Sequence, residues 1–178
     1  MTYERVSVTG HRSLTDSQTT WLRLEFGRVL AKLAAGGTTN AATGMALGAD
    51  TEFGWAALHA GPKLHAHIPF PEQPARWTRP QQDEYRRLLD RCETRTVYGP
   101  SFAIGWLFAR NDGLLEVADA LVAVWDGRRE GGTFDTVRKA ARRGLPVIHF
   151  DVARLQVHGP GCSCVAQMAT PDEPTLFD

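Results

Sequence analysis

A continuous apolar run, Ala120–Trp125, constrains the fold of this chain more than any other segment. Consecutive apolar residues without polar alternation are typical of a strand that is buried on both faces. Such strands occur in parallel sheets, where helices cover each side. The run therefore predicts an α/β fold in which helices connect the strands.

Other strand and helix patterns alternate along the chain in agreement with this prediction. The predicted strands are 5–9, 39–43, 64–68, 94–98, 120–125 and 146–150, and the predicted helices are 16–35, 49–60, 81–91, 102–117 and 133–143. Asp16 or Ser17 is expected to cap the first helix. The pattern predicts one Rossmann-like domain over residues 1–157, with a mostly parallel sheet and helices on both faces. Residues 158–178, which contain Gly, Pro and Cys, are expected to form a flexible C-terminal tail.

Length and charge narrow the class of protein. The 178 residues suit one domain of ordinary size, and 20 basic residues balance 20 acidic ones. Because the chain has no net charge, no overall electrostatic field attracts nucleic acid or a membrane surface, and neither is an expected partner. No segment has the roughly 18 apolar residues of a membrane helix or the apolar core of a signal peptide. We therefore expect a soluble cytoplasmic protein.

The three cysteines do not form a recognisable metal motif. Cys92 is isolated, whereas Cys162 and Cys164 are separated by one residue. A zinc site needs about four ligands, and the sequence has no second cysteine pair. The alternative is a cluster of Cys162 and Cys164 with nearby His158. We expect reduced thiols in a loop, no metal site and no cofactor.

Glycine-rich loops that follow the strands point to a ligand site. The strongest signal is Gly131-Gly132-Thr133, which follows the apolar strand and opens a helix. Free backbone N–H groups at a helix N-terminus, together with the helix dipole, suit a phosphate. Because the carboxyl ends of parallel strands share one edge of a sheet, the other loops are expected to converge there. Their candidate ligand-binding residues are Thr9, Gly10, His11, Arg12, Gly44, Met45, Gly48, Asp50, Arg110 and Asn111.

The order of these motifs resembles a known family. The motifs are Val8-Thr9-Gly10-His11-Arg12, 43–50 (TGMALGAD), Ile68-Pro69-Phe70, Ala109-Arg110-Asn111, the segment 119–127, Gly131-Gly132-Thr133 and Pro146-Val147-Ile148. Together they are similar to the YpsA-like branch of the SLOG superfamily, which is related to the LOG and DprA proteins. The resemblance covers roughly residues 5 to 151.

The resemblance implies a Rossmann-like fold and a nucleotide or nucleotide-derived ligand, with a sensor-type role. LOG members are phosphoribohydrolases that release the base from a nucleoside monophosphate, and they carry a functional Glu three residues after the threonine of Gly-Thr. Here Thr136 occupies that position. Hydrolysis would then need another carboxylate, and Asp126 and Glu130 are the candidates. Nucleotide binding and nucleotide N-glycosidase activity therefore both remain open, and by analogy with relatives we expect a homo-oligomer.

Two further carboxylates, those of Asp135 and Asp119, are not expected to belong to the site. Asp135 is one helical residue from Thr136, about 100° around the axis, and is expected to face elsewhere. Asp119 precedes its strand and is expected at the opposite end of the sheet.

The C-terminus, Glu173 to Asp178, is similar to short peptides that dock on the bacterial sliding clamp through Leu176-Phe177.

Overall fold

A computed structural model of the chain describes residues 2–167. Within them lie seven strands and six helices, and none of these helices is long and apolar enough to cross a membrane. The elements in chain order are β1 (Arg5–Gly10), α1 (Asp16–Ala35), β2 (Asn40–Thr43), α2 (Ala49–Ala60), β3 (Lys63–Ile68), α3 (Arg79–Leu89), β4 (Thr94–Val97), α4 (Ile104–Glu116), β5 (Ala120–Trp125), α5 (Gly131–Arg142), β6 (Val147–Asp151), β7 (Gln156–His158) and α6 (Ser163–Ala166).

The strands form one sheet in the order β4-β3-β2-β1-β5-β6-β7. All neighbours are parallel except β6 and β7, which are antiparallel. β1 lies at the centre and pairs with β2 on one side and β5 on the other, with Val8 opposite Val122. The connections reverse direction between β1 and β5, so their carboxyl ends flank a topological switch point. The predicted α/β fold is confirmed.

Two apolar cores hold the helices to opposite faces of the sheet. The larger core joins α1, α2 and α3 to the central strands, with Phe26 packed edge-on against Phe53 and tilted against Phe150. The smaller core joins α4, α5 and α6 to β5 and β6 around Trp125 and Val137. Every residue of β5 is buried, as the continuous apolar run predicted.

The cap of α1 differs from the sequence prediction. Thr15, rather than Asp16 or Ser17, is the N-cap residue, and its side chain accepts a hydrogen bond from the backbone N–H of Gln18. The Gln18 side chain in turn accepts from the Thr15 N–H at 2.9 Å, which completes a capping box. Asp16 already lies in the first helical turn, where its charge favours the N-terminal end of the helix dipole.

The chain stays structured beyond the last predicted strand. β7 pairs with β6, placing Val157 opposite Phe150, and α6 buries Val165 against the smaller core. Cys162 and Cys164 form a disulfide, which corrects the expectation of reduced thiols. A single buried valine and three paired residues carry too little periodicity to be seen in the sequence. The predicted clamp-docking residues Leu176 and Phe177 lie outside the described residues.

A buried histidine lies on the sheet face opposite the larger core. Leu64, Ala66 and Ile68 of β3 point into that core, whereas His67 points to the other side. Its Nδ1 atom lies 2.7 Å from the hydroxyl of Tyr98, and the residue is 6% exposed. Burial, followed by the charges of His65 and Arg110, lowers the pKa of His67 to about 4.

Gly10 generates a prediction about packing at the end of β1. A Cβ atom there would lie 2.5 Å from Cβ of Ala49 and 2.7 Å from Cβ of Val124, whereas one at Gly27 would meet nothing within 4 Å. We expect Gly10→Ala to lower the free energy of unfolding by about 1–3 kcal/mol through overpacking. The matched control Gly27→Ala, inside α1, should be neutral or add up to about 1 kcal/mol. Urea unfolding measures both, and equal effects would contradict the close packing.

His67 generates a prediction about pH. In the unfolded chain the residue binds a proton below about pH 6.5, whereas in the folded chain it does so only below about pH 4. Between these values the unfolded state binds more protons, so the contribution of His67 to stability falls by about 1.4 kcal/mol per pH unit as the pH decreases. Urea unfolding at pH 7 and pH 5 should show a smaller loss for His67→Gln than for the wild type. The exposed-residue control His59→Gln should behave like the wild type, and an unchanged loss in His67→Gln would contradict the burial argument.

Candidate functional site

A cleft of about 490 Å³ opens outside the carboxyl ends of β1 and β5. This is the position at which parallel α/β sheets bind ligands. Loops that are far apart in the sequence meet there, and twelve of its lining residues are glycines or carry polar side chains. The lining residues are Val8, Thr9, Gly10, His11, Arg12, Ala46, Asp50, Arg110, Asn111, Leu114, Arg128, Glu130, Gly131, Gly132 and Thr133.

The loop after β1 forms the central wall of the cleft. The backbone N–H of His11 donates to the carbonyl of Val124 at 3.2 Å, which extends the pairing of β1 with β5 past Gly10. The Nε2 atom of the His11 ring lies 3.2 Å from the backbone N and 3.1 Å from Oδ1 of Asp126. Arg12 follows on the cleft wall, and its side chain forms no hydrogen bond or ion pair within residues 2–167. A cation is therefore available at the mouth of the cleft.

A buried ion pair forms the floor of the cleft. Nη1 of Arg110 lies 3.4 Å from Oδ2 of Asp50, and it also donates to the carbonyl of Gly44. Both side chains are 6% exposed. Burial raises the pKa of Asp50, and it lowers the pKa of Arg110, while each partner's charge opposes these effects. Nε of Arg110 is buried and has no hydrogen-bond partner among the described residues.

Three predicted ligand residues lie behind the cleft surface instead of on it. Gly44 passes so close to Arg110 that a Cβ atom would overlap the guanidinium. Met45 is 1% exposed and has a positive φ of 56°. Gly48 has a φ of +73°, and a Cβ there would lie 2.5 Å from the carbonyl oxygen of His11. These residues shape the loop that presents Asp50, because larger or more restricted residues would not fit its close approaches.

The N-terminus of α5 faces the cleft without a side-chain cap. Glu130 is the N-cap residue, and its side chain accepts no capping hydrogen bond. Gly131, Gly132 and Thr133 form the first turn and line the cleft. The first N–H groups of a helix have no partner within the helix, so an uncapped first turn offers several donors to an acceptor in the cleft.

Asp126 lies beside the cleft and is held by its neighbours. Its Oδ2 atom accepts from Nε of Arg128 at 2.6 Å, and its Oδ1 atom accepts from the Arg128 backbone N–H at 3.1 Å. Burial acts to raise the pKa of Asp126, but the hydrogen bonds from Arg128 and the charges of His11 and Arg128 outweigh it, so the pKa lies below its ordinary value. Asp126 is therefore a carboxylate at neutral pH, and Arg128 lines the cleft above it.

The remaining acidic and hydroxyl groups of these segments point away from the cleft. Thr136 is fully buried, and its hydroxyl donates to the carbonyl of Gly132 at 2.8 Å. Asp135 does not line the cleft and pairs with Arg138 and Lys139 of its own helix. Asp119 accepts from Arg5 at the opposite end of β1. The expectations for Asp135 and Asp119 therefore agree with their observed positions.

An apolar groove of about 400 Å³ adjoins the cleft across Arg12, which lines both. Phe70 and Phe102 meet edge-to-face, with ring centroids 5.3 Å apart, and Trp77 stands on the same wall. Nε2 of Gln73 donates to the carbonyls of Gly44 and Met45 at 3.2 and 3.0 Å, which fixes the loop after β3 to the loop after β2. The loop after β3, which carries Phe70 and Gln73, is thus attached to the loop that leads to Asp50 in the cleft.

The predicted site lacks four lining residues of the cleft, Val8, Ala46, Leu114 and Arg128. Val8 and Ala46 belong to motifs that the sequence analysis names, whereas Arg128 and Leu114 do not. Arg128 directly follows Gly127, and Leu114 lies one helical turn after Arg110. These positions next to motif residues could have indicated both side chains. The predicted residues that the structure does bring together on the cleft wall are Thr9, Gly10, His11, Arg12, Asp50, Arg110, Asn111, Glu130, Gly131, Gly132 and Thr133.

Comparison with known sequences gives one distant relative. No protein-family model matches the chain. The chain is 30% identical over 107 residues to the uncharacterized SPbeta prophage-derived protein YoqJ of Bacillus subtilis (strain 168), a match that covers 50% of this chain and 62% of YoqJ. The chain thus matches less than two thirds of the length of this relative.

Solved structures with the same fold include two DNA processing A proteins. The protein from Helicobacter pylori, whose structure concerns its single-stranded DNA binding mode, has a TM-score of 0.60 and 19% identity, covering 82% of this chain and 64% of that one. The protein from Streptococcus pneumoniae has a TM-score of 0.62 and 19% identity, covering 94% and 58%. The first of these binds single-stranded DNA, whereas nucleic acid was not an expected partner of this chain.

A third structure, that of the structural-genomics protein TM1055, has a TM-score of 0.53 and 22% identity, covering 82% of this chain and 72% of that one. Identities of this size show a shared fold. All three structures have the Rossmann-like architecture that the SLOG resemblance implies. The chain therefore has the fold of DNA processing protein A and TM1055.

Proposed function

We propose that this chain binds a nucleotide or nucleotide-derived ligand in the switch-point cleft and acts as a sensor. The observation that carries the proposal is Arg110, a buried cation on the cleft floor whose Nε has no partner among the described residues. A buried polar group without a partner costs about 1–3 kcal/mol, and more when it is charged. Asp50 balances the charge of Arg110, and an acceptor atom of a bound ligand would satisfy the Nε–H group that remains.

The phosphate is proposed to lie between the N-terminus of α5 and Arg12. The uncapped turn of Gly131, Gly132 and Thr133 supplies N–H groups and one hydroxyl, and the helix dipole favours a negative charge there. Arg12 supplies a charge that no neighbour among the described residues neutralises. By contrast, Arg128 is already paired with Asp126 and serves less well as an anchor.

The ribose and the base of the ligand are proposed to extend in two directions from the phosphate position between Arg12 and the N-terminus of α5. Asp50 and Glu130 are acceptors on the cleft wall, suited to ribose hydroxyls. The groove beyond Arg12 offers the rings of Phe70, Trp77 and Phe102 for stacking with a base. The cleft and the groove each lie in the size range of small-molecule sites. Single-stranded nucleic acid shares this chemistry, and the Helicobacter neighbour gives a reason to test it.

Removal of the two phosphate contacts should weaken binding. We expect Arg12→Ala and Thr133→Ala each to raise the Kd for nucleoside mono- and diphosphates about 10- to 150-fold, because a charge-assisted hydrogen bond contributes about 1.5–3 kcal/mol. Isothermal titration of a nucleotide panel, with a short single-stranded oligonucleotide as a separate sample, measures this. Arg79→Ala, which removes an exposed arginine on α3, is the control and should leave Kd unchanged. Unchanged affinity in both cleft variants would reject the placement of the phosphate.

A nucleotide N-glycosidase is the second candidate, because ionised Asp126 and cleft-lining Glu130 flank the proposed phosphate position. A carboxylate near the anomeric carbon stabilises positive charge as the bond between sugar and base breaks. Thr136 cannot take that role, because it is buried and bonded to its own helix. A hydrolase of this fold would therefore use a carboxylate that precedes α5 instead of one within it.

Release of free base separates the two functions. If the chain is a hydrolase, incubation with nucleoside monophosphates should yield base and ribose phosphate by liquid chromatography. Asp126→Asn or Glu130→Gln should then reduce turnover by at least about 100-fold with little change in Kd. If the chain is a sensor, thermal shift should report binding and no base should appear. Asp135→Asn is the control, since Asp135 belongs to the same helix but does not line the cleft.

A further inference from the structure

A cluster of sulfur and imidazole groups lies on the edge of the sheet away from the nucleotide cleft. Cys162 and Cys164 form a disulfide next to His149 of β6. His158 of β7 is directly opposite His149 in the antiparallel pair, so both side chains project from the same face. The two imidazole rings stack with centroids 5.4 Å apart. His149 thus contacts both the sulfur of Cys164 and the ring of His158, and all four side chains are of types that bind a soft metal ion.

The hydrogen bonds of His149 orient one ring nitrogen toward the sulfurs. Its Nε2 atom lies 2.9 Å from the carbonyl oxygen of Trp125, which can only accept, so Nε2 carries the proton. The unprotonated Nδ1 atom lies 3.2 Å from Sγ of Cys164. A histidine that donates one N–H to a backbone carbonyl and presents its other nitrogen to a cluster has the arrangement typical of metal-ligating histidines. Trp125 thus fixes the tautomer that a metal ion would need.

The sulfur of Cys162 is also oriented by a hydrogen bond, in this case from the backbone. The backbone N–H of Cys164 donates to Sγ of Cys162 at 3.3 Å. Hydrogen bonds from backbone N–H groups stabilise the charge of a thiolate. His149 is 2% exposed and Cys164 is partly buried, so the cluster is shielded on one side by α5 and the sheet. A shielded set of two sulfurs and two imidazole nitrogens matches the closed tetrahedral ligand set of structural zinc sites.

We propose that the reduced form of this cluster binds Zn²⁺ through Cys162, Cys164, His149 and His158. In this structure the two sulfurs are joined in a disulfide and are not thiolates, and residues 2–167 contain no group of three or more His, Cys, Asp or Glu side chains that could hold a metal ion. A small dithiol supplies two electrons and two protons to the disulfide and is itself oxidised to a disulfide. The two cysteine thiols then release two protons to solvent as the ion binds.

The zinc site reverses the sequence expectation that this chain has no metal site. It holds β7 and α6 to β6, and all its positions are filled by protein ligands, so its role is structural rather than catalytic. The site is separate from the nucleotide cleft and does not depend on the proposed function. Its two histidines belong to β6 and β7, and strand pairing, which the sequence pattern did not indicate, brings them next to the cysteines.

Metal uptake before and after reduction tests the proposal on one unmodified chain. The full chain is stripped with a chelator, kept oxidised or reduced with a small dithiol, exchanged into dithiol-free buffer without oxygen, and titrated with Zn²⁺ against a colorimetric zinc indicator. We expect about one equivalent of tightly bound zinc for the reduced protein and none for the oxidised protein. Equal uptake in both forms, or uptake in neither, overturns the proposal.

Variants identify the ligands. The reduced Cys162→Ser/Cys164→Ser protein should lose zinc binding, and His158→Ala should weaken it at least about tenfold, whereas the matched control Cys92→Ser should retain it. Co²⁺ provides a readout that folding defects do not imitate, since thiolate ligation gives a sulfur-to-cobalt charge-transfer band. Absence of this band in reduced wild-type protein, or its persistence in the double variant, contradicts the assignment. Zinc should also raise the Tm of reduced wild type and leave that of the double variant unchanged.

Discussion

The buried ion pair between Arg110 and Asp50 joins three parts of the chain that the site depends on. Arg110 belongs to α4, Asp50 begins α2, and the carbonyl of Gly44 in the intervening loop accepts from the same guanidinium. Because each partner is almost fully buried, removing one would leave an uncompensated charge, at a cost of about 3–5 kcal/mol. The pair therefore fixes the loop after β2 against the helix on the other side of the switch point, and the cleft has a rigid floor.

This arrangement also decides which charges remain available to a ligand. Asp50 balances Arg110, and Asp126 holds Arg128, so two of the three arginines on the cleft wall are already paired. Arg12, the Nε atom of Arg110 and the uncapped first turn of α5 are left as donors to a ligand. A neutral protein can thus present a local anion site, because the field that matters is that of a few groups in a shielded cleft.

The sequence predicted the alternating elements to within two residues at most ends, and most of its candidate residues lie in loops that meet at the cleft. It did not indicate Thr15 as the cap of α1, because three neighbouring residues can each accept a hydrogen bond from the helix N-terminus. It assigned Gly44, Met45 and Gly48 to ligand contact, although they serve the close packing of the loop beneath the cleft. It also gave no signal for β7, whose three residues are held by pairing with β6.

The sequence by itself determined the parallel sheet, its helical layers and the edge where the loops converge, because apolar periodicity and glycine-bounded strands are local properties. Only the tertiary structure decided which loop residues face the cleft and which support it. The contacts that decide this join residues 60 and 66 positions apart in Arg110–Asp50 and Arg110–Gly44. The same holds for the cysteine and histidine cluster, whose members meet through strand pairing. Burial and pairing of this kind depend on the complete packing of the chain, and no local pattern encodes them.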